Sequence, residues 1–235
     1  MKSRILVFDI WGDLGHFKKP YTTTSPLSFA FPPRPTIAGI ISAIIGLDKT
    51  EYADHFTKKN AHIAIRINKP IKKIRISQNL IDTKRAVLFS RIRQRTQIRF
   101  EYVKDPGYRI YFQHNDHLLY QRFKTCLQNH ESVYTVSLGL SELLANFKFI
   151  GEFDLYELEN KKPVLLNSVL PIQLSTDFKI ETGKAYFSED MPIEMDKQRV
   201  VSQFGKFFYE RNGMPVMAKP DKYFKVENGD TILFL

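Results

Sequence analysis

The sequence predicts an α+β protein. A ferredoxin-like β-α-β-β-α-β unit over residues 1–158 carries a basic insertion, and a small, β-hairpin-rich C-terminal subdomain over residues 159–235 follows. Two observations carry the first part. Apolar residues recur with period two or period 3.6 in that order of elements, and a cationic, poorly periodic passage interrupts the order before the third strand. After residue 158 the pattern changes to short strands separated by Asn-Gly turns. The chain has 235 residues, 43% of them hydrophobic and 13% aromatic, too many large apolar side chains for a disordered polymer. With 11 Gly and 12 Pro it is neither collagen-like nor of low complexity. Cys126 is its one cysteine, which excludes a disulfide framework and points to a reducing compartment. The opening MKSRILVFDI meets Asp9 after four apolar residues and fits no signal peptide. The longest charge-free apolar stretch, Thr36 to Leu47, falls short of the ~20 residues that span a bilayer. A soluble, cytoplasmic protein is expected.

The elements follow in order. Arg4 to Ile10 reads as a buried first strand, with Ile5, Leu6, Val7 and Phe8 in succession. The passage GDLGHFKKPYTTTSPLSFAFPPRP is too long and too rich in Thr, Pro and Gly for an ordinary connection, so it is a candidate functional loop. Thr36 is placed to cap a helix whose Ile37, Ile40, Ile41, Ile44 and Ile45 form one apolar face. Ala38, Gly39, Ser42 and Ala43 make its other side small enough for another backbone to approach, and Gly46 ends it. Ala61 to Ile67 is a strand. Gln97 to Val103 and Tyr108 to Phe112 flank Asp105-Pro106-Gly107 and read as a hairpin. Asn115 caps a second helix running to about Gln128, with Leu119, Phe123, Cys126 and Leu127 inward; Ala145 to Leu158 is a further strand. Asn212-Gly213 and Asn228-Gly229 read as two-residue hairpin turns, which need positive φ at the central positions.

The charge is concentrated. Net charge is +10, yet residues 58–99 alone sum to +12 and the remainder to −2. That segment holds Lys58, Lys59, Arg66, Lys69, Lys72, Lys73, Arg75, Lys84, Arg85, Arg91, Arg93, Arg95 and Arg99 against the single acid Asp82. A solvated face normally intersperses both signs, so this imbalance favours a polyanionic ligand that supplies the counter-charge. Arg91, Arg93 and Arg95 alternate, and Arg99 continues the row after Gln97. In an extended chain all four share one face, about 6.6–6.8 Å apart per two residues. With Tyr21, Phe29 and Phe31 available for stacking and helical N–H groups at Thr36, the pattern suits single-stranded nucleic acid.

Chemistry is less well marked. Walker loops, G-x-G-x-x-G and Cys-x-x-Cys pairs are absent from the sequence. His114 and His117 beside Asp116 could join a metal site only with another ligand, and the plainer reading places them at a helix start. Ser141-Glu142 before Leu143-Leu144 reads as a helix beginning. No metal or cofactor is expected. His16, Tyr21, Lys18 and Lys19 include the acid, base and cation types that metal-free RNA cleavage needs. The plainer reading is that Lys18 and Lys19 hold phosphates while His16 and Tyr21 stack or hydrogen-bond.

The block FDIWGDLGHFKKPYTTTSPLSFAFPPRPTIAGIISAIIG resembles the opening of the CRISPR-associated Cas-five (Cas5) family, the RAMP-type subunit of type I Cascade complexes, with a flavour closest to type I-B. RTQIRFEYVKDPGYRIYF, YTVSLGLSELLANFKFIGEF and NGMPVMAKPDKYFKVENGDTILFL are similar to the same family, while the passage from about 159 to 198 is not aligned. The resemblance implies a ferredoxin-like domain with a basic thumb (about residues 68–96) and a non-catalytic role gripping the 5′ handle of the CRISPR RNA. It also implies contacts with the Cascade backbone subunit and the large PAM-reading subunit, with target DNA met only through the complex and no membrane partner. Carried over, Lys18, Lys19 and Tyr21 lie in the first loop, Arg34 before the helix, and Arg91 to Arg99 at the thumb's return. Ser137, Gly139 and Ser141 lie where a tight backbone would approach the handle. The type I-C branch uses a Tyr-Lys-His set to cut repeat RNA, the alternative activity to be tested here.

Overall fold

In the computed structural model, which describes residues 2–22, 24–81, 95–159 and 162–235, the chain is mostly strand. In order along the chain come β1 (Lys2–Gly12), β2 (Leu14–Gly15), α1 (Arg34–Ile45), α2 (Tyr52–His55), β3 (Ala61–Ile67), β4 (Lys72–Ile81), β5 (Arg95–Lys104), β6 (Gly107–His114), α3 (His117–Asn129) and β7 (Ala145–Glu159). Then follow β8 (Val164–Leu166), β9 (Leu170–Pro171), β10 (Ser175–Lys179), β11 (Tyr186–Met195), β12 (Val201–Glu210), β13 (Val216–Pro220), β14 (Lys222–Val226) and β15 (Thr231–Ile232). An antiparallel sheet in the order β15-β14-β7-β1-β6-β3 forms the centre.

β1 reads as an unbroken apolar run because both of its faces are buried. Leu6, Phe8 and Ile10 pack with Ile37, Ile41 and Ile44 of α1 and Phe123 of α3, while Ile5 and Val7 join Tyr111, Leu155 and Val226 on the other side. α1 starts at Arg34 rather than after Thr36. The Pro33 carbonyl accepts the N–H groups of Thr36 and Ile37, and Pro35 in the first turn presets the helical φ. Gly46, at φ 74, ends it as expected. α3 is capped by Asp116, whose carboxylate accepts the Leu118 and Leu119 N–H groups; the neighbouring Asn115 side chain instead donates to the Lys59 carbonyl.

The structure corrects further sequence expectations. First, β5 and β6 do not pair with each other. β5 lies between β2 and β4, whereas β6 lies between β1 and β3, so Asp105-Pro106-Gly107 is a corner between two sheets. Asp13 and Pro106 carbonyls accept the Asp105 and Gly12 N–H groups there, locking the corner to the end of β1. Second, the basic passage begins as a regular strand, β4, paired with β5 without interruption from Lys72↔Lys104 to Ile81↔Arg95. Lys84, Arg85, Arg91 and Arg93 lie outside the described residues. Third, Asn212-Gly213 joins strands of different sheets. The Glu210 carboxylate gathers the Asn212 and Met214 N–H groups, and Gly213 (φ 77) sits against β3, where a Cβ would lie 2.0 Å from the Ile67 carbonyl oxygen. Asn228-Gly229 does connect the paired β14 and β15, through a turn of four residues rather than two.

Ser141-Glu142 begins no helix; residues 141–142 form a turn. β14 and β15 extend the central sheet beyond β7, and the Val169 and Leu235 N–H groups cover the outer edge of β3 by donating to Ile65 and Ile63. Among the described residues no helix is long and apolar enough to cross a membrane.

Candidate nucleic-acid interface

β4 and β5 form an arm with two unlike faces. Alternation puts Lys73, Arg75, Ser77, Asn79 and Ile81 opposite Val103, Glu101, Arg99, Gln97 and Arg95, in that order, on one face. Ile74, Ile76 and Leu80 share the other with Ile98, Phe100 and Tyr102. Arg95 and Arg99 therefore lie on one face, as their spacing predicts, and Ile98 on the opposite one. Both arginines are exposed and make no ion pair among the described residues. Arg75 is also exposed, 3.8 Å from Glu101, and Lys72 is exposed at the arm's root opposite Lys104.

Other predicted cations are already paired. Lys19 Nζ lies 2.8 Å from the Glu189 carboxylate of β11 and 5.2 Å over the Phe29 ring. Burial opposes its charge, but the bond to Glu189 outweighs that and raises the ammonium pKa above its ordinary value. Lys73 Nζ is 2.7 Å from the Ser28 carbonyl, 3.1 Å from Glu101 and 3.8 Å from Glu189. Arg66 pairs with Asp230 at 2.7 Å. The counter-charge of the basic segment is thus partly internal, and Lys19 and Lys73 tie the first loop, the arm and β11 together. Sequence reasoning missed Glu101 and Glu189. Glu101 stands in alternation with the arginines and was detectable in principle; nothing local marks Glu189.

The first loop folds back on itself. Lys18 bridges Ser28, the Phe29 N–H donates to Phe17, and the Phe17 N–H donates to Ser28 Oγ at 2.9 Å. That ordering leaves Lys18 and Tyr21 outside, Tyr21 at 69% exposure. Phe29 and Phe31 are fully buried, Phe31 edge-on to Tyr209, so they are core residues rather than the stacking platforms expected. His16, at 2% exposure, is also interior. Its Nδ1 is 2.7 Å from the Glu101 carbonyl and its ring packs 5.6 Å from both Phe100 and Tyr102. It is buried and lines one small depression with Lys18, which Tyr21 does not line.

Arg34 is corrected most sharply. It is 2% exposed and donates to the carbonyls of Phe56 (2.9 Å), Ala61 (2.7 Å) and Ile193 (3.4 Å), which makes it an interior tie and not a phosphate contact. Burial brings its pKa down to about 10, so it stays charged at neutral pH. The amides of Thr36 and Ile37, bonded to Pro33, are likewise unavailable to a phosphate.

Gly139 adopts φ +102, and a Cβ there would lie 1.9 Å from the His16 carbonyl oxygen; the His16 N–H donates to Leu138 at 2.9 Å. The 137–139 backbone is therefore stitched to the first loop. Gly139, Lys18 and Thr36 line a depression of about 270 Å3 together with His16, whose buried Nε2 has no hydrogen-bond partner among the described residues. Ser137 is half-buried, and Ser141 is exposed with its hydroxyl 3.4 Å from Glu142. His114 is interior, its Nε2 on the His55 carbonyl and its Nδ1 accepting the Asp116 N–H, which fixes the start of α3; His117 is exposed.

The family model described as CRISPR-associated protein (Cas_Cas5) matches residues 5–201. A search of curated proteins finds no match. A solved CRISPR protein from Archaeoglobus fulgidus is similar with a TM-score of 0.58 at 9% identity, covering 98% of each chain. A chain of a CRISPR RNA-guided surveillance complex is similar with a TM-score of 0.55 at 10% identity, covering 90% of this chain and 91% of that one. At such identities the structural likeness is one of fold, and the sequence match over most of the length is what assigns the family. The chain belongs to the CRISPR-associated Cas5 family.

Proposed function

We propose that this chain is a non-catalytic CRISPR RNA-binding subunit of a type I Cascade complex of the I-B kind, which holds the 5′ handle of the guide RNA and contacts the backbone and large subunits. The strand order β7-β1-β6-β3, with α1 and α3 packed in one core cluster, supports reading the centre as ferredoxin-like. One observation carries the functional reading. Among the described residues Lys19, Lys73, Arg66 and Arg109 are each paired with a carboxylate, whereas the exposed Arg95 and Arg99, on one face of the arm, are not. Self-repulsion there is tolerable if phosphates supply the missing charge. The RNA-guided assembly of one structural neighbour agrees with this.

The test is an Arg95→Ala, Arg99→Ala double variant titrated with handle RNA at several salt concentrations. Log affinity against log salt should flatten by about 0.7 per lost contact, so about 1.4 in all, with unchanged thermal unfolding. Wild-type slope and affinity in the variant would reject the arm as the RNA grip. The expected absence of catalysis has its own test. Repeat RNA incubated with the protein in EDTA should stay whole; a single cut ending in a 2′,3′-cyclic phosphate would overturn that part.

A further inference from the structure

We infer that the RNA path continues past the first loop into a groove over the open side of α1, where Tyr134 and Arg199 hold an unpaired nucleotide; this rests on the RNA-binding reading above. The groove measures about 650 Å3 and is lined by Thr36, Gly39 and Ala43 of α1, by Tyr134 and Arg199, and by the charged Asp48 and Lys49. It shares Pro35, Thr36, Gly139 and Met195 with the smaller depression beside Lys18, so the two adjoin.

Gly39 is the first sign of an occupant. A glycine within a helix costs stability relative to alanine, and it persists where another group must come close. A Cβ at Gly39 would meet nothing within 4 Å, so packing inside the protein does not require its absence. Gly139 and Gly213, by contrast, are fixed by backbone oxygens under 2.1 Å from any Cβ.

Arg199 is the second sign. Its backbone is left-handed, φ 62, a strained choice for a residue with a side chain. The strain is held by a turn in which the Asp196 carbonyl accepts the Arg199 N–H and the Asp196 carboxylate accepts the Val200 N–H. Arg199 is exposed and forms no ion pair among the described residues. Tyr134 is 53% exposed while its N–H is pinned to the Ala43 carbonyl of α1 at 2.9 Å, so its backbone is fixed beside the groove. An exposed aromatic ring in a groove that also holds Arg199 and Lys49, has Asp48 as the one acid of its lining and adjoins the depression beside Lys18 matches stacked bases on a phosphate chain better than an apolar helix of another protein.

Two variants of the full chain separate this role from folding. Gly39→Leu fills the groove and raises helix propensity; Arg199→Gly removes the cation and relieves the backbone. Both should keep or raise the thermal midpoint. Gly39→Leu should lower affinity for handle RNA at least tenfold, and Arg199→Gly should lower the salt slope by about 0.7. Wild-type binding with both variants unaffected overturns the groove alone, whereas a wild-type chain that binds no RNA fails the RNA reading itself. If Gly39→Leu keeps RNA affinity but no longer assembles with partner subunits, the groove docks a protein and the inference is wrong.

Discussion

Gly139 has no room for a side chain, since the nearest obstacle is a backbone oxygen that cannot rotate away and φ is already in the glycine region. Gly139→Ala should cost on the order of 2 kcal/mol or more, read as a lower urea midpoint. An unchanged midpoint would mean that the 137–139 backbone is not held against His16. Arg34 presents the converse case, a charged group that belongs to the interior. Three carbonyls, from Phe56, Ala61 and Ile193, converge on its guanidinium. Arg34→Ala strands them without donors and should cost roughly 3 kcal/mol or more, while the fraction that still folds binds RNA as the wild type does. Weakened binding in a fully stable variant would restore Arg34 to the interface.

α3 depends on its cap. The Leu119 N–H, and after it the Leu118 N–H, hold the Asp116 carboxyl below the usual carboxylate range. A depressed folded pKa stabilises fully above the unfolded value and is lost as pH falls through the folded one. Asp116→Ala should cost about 1 kcal/mol at neutral pH, and Asp116→Asn should keep the cap while removing that acid dependence; equal acid sensitivity in the wild type and Asp116→Asn would contradict it. The helix itself was legible in the sequence, as were β1, β3 and β7, because each buries a periodic apolar set. β4 was missed, because both faces of Lys72–Ile81 are largely exposed and the alternating Ile74, Ile76 and Leu80 are interrupted by Gln78 within a passage dominated by its charges. Asp105-Pro106-Gly107 and Asn212-Gly213 were rightly read as turns and wrongly as hairpins. A turn signal is local, and which strand the chain pairs with next is set by distant groups such as Asp13 and Ile67. Within the site, the shared face of Arg95 and Arg99 follows from spacing alone. The pairing of Lys19 does not, because its carboxylate lies 170 positions away.

Across the whole molecule, Glu189 links parts that are far apart in sequence. Its carboxylate reaches Lys19 of the first loop at 2.8 Å, the Ala30 N–H before α1 at 3.1 Å and Lys73 of the arm at 3.8 Å. Lys19 and Glu189 side chains are 13% and 11% exposed, so the pair is only partly screened by water. Breaking it should leave a poorly solvated ammonium at about 2 kcal/mol, below the figure for a fully buried pair because Lys73 keeps Glu101. Glu189→Gln preserves shape and removes only the charge. Stability and RNA binding should then move in opposite directions: the denaturation midpoint falls, while Lys19 loses its carboxylate and becomes available to phosphates, and Lys73, which keeps Glu101, is freed only in part. RNA affinity should rise at low salt and its salt slope should steepen by up to about 0.7 for each cation released. Urea denaturation and RNA titration of the same preparation measure both. A variant that loses stability and binds RNA with unchanged slope would show that Lys19 and Lys73 serve the architecture alone and lie off the RNA path.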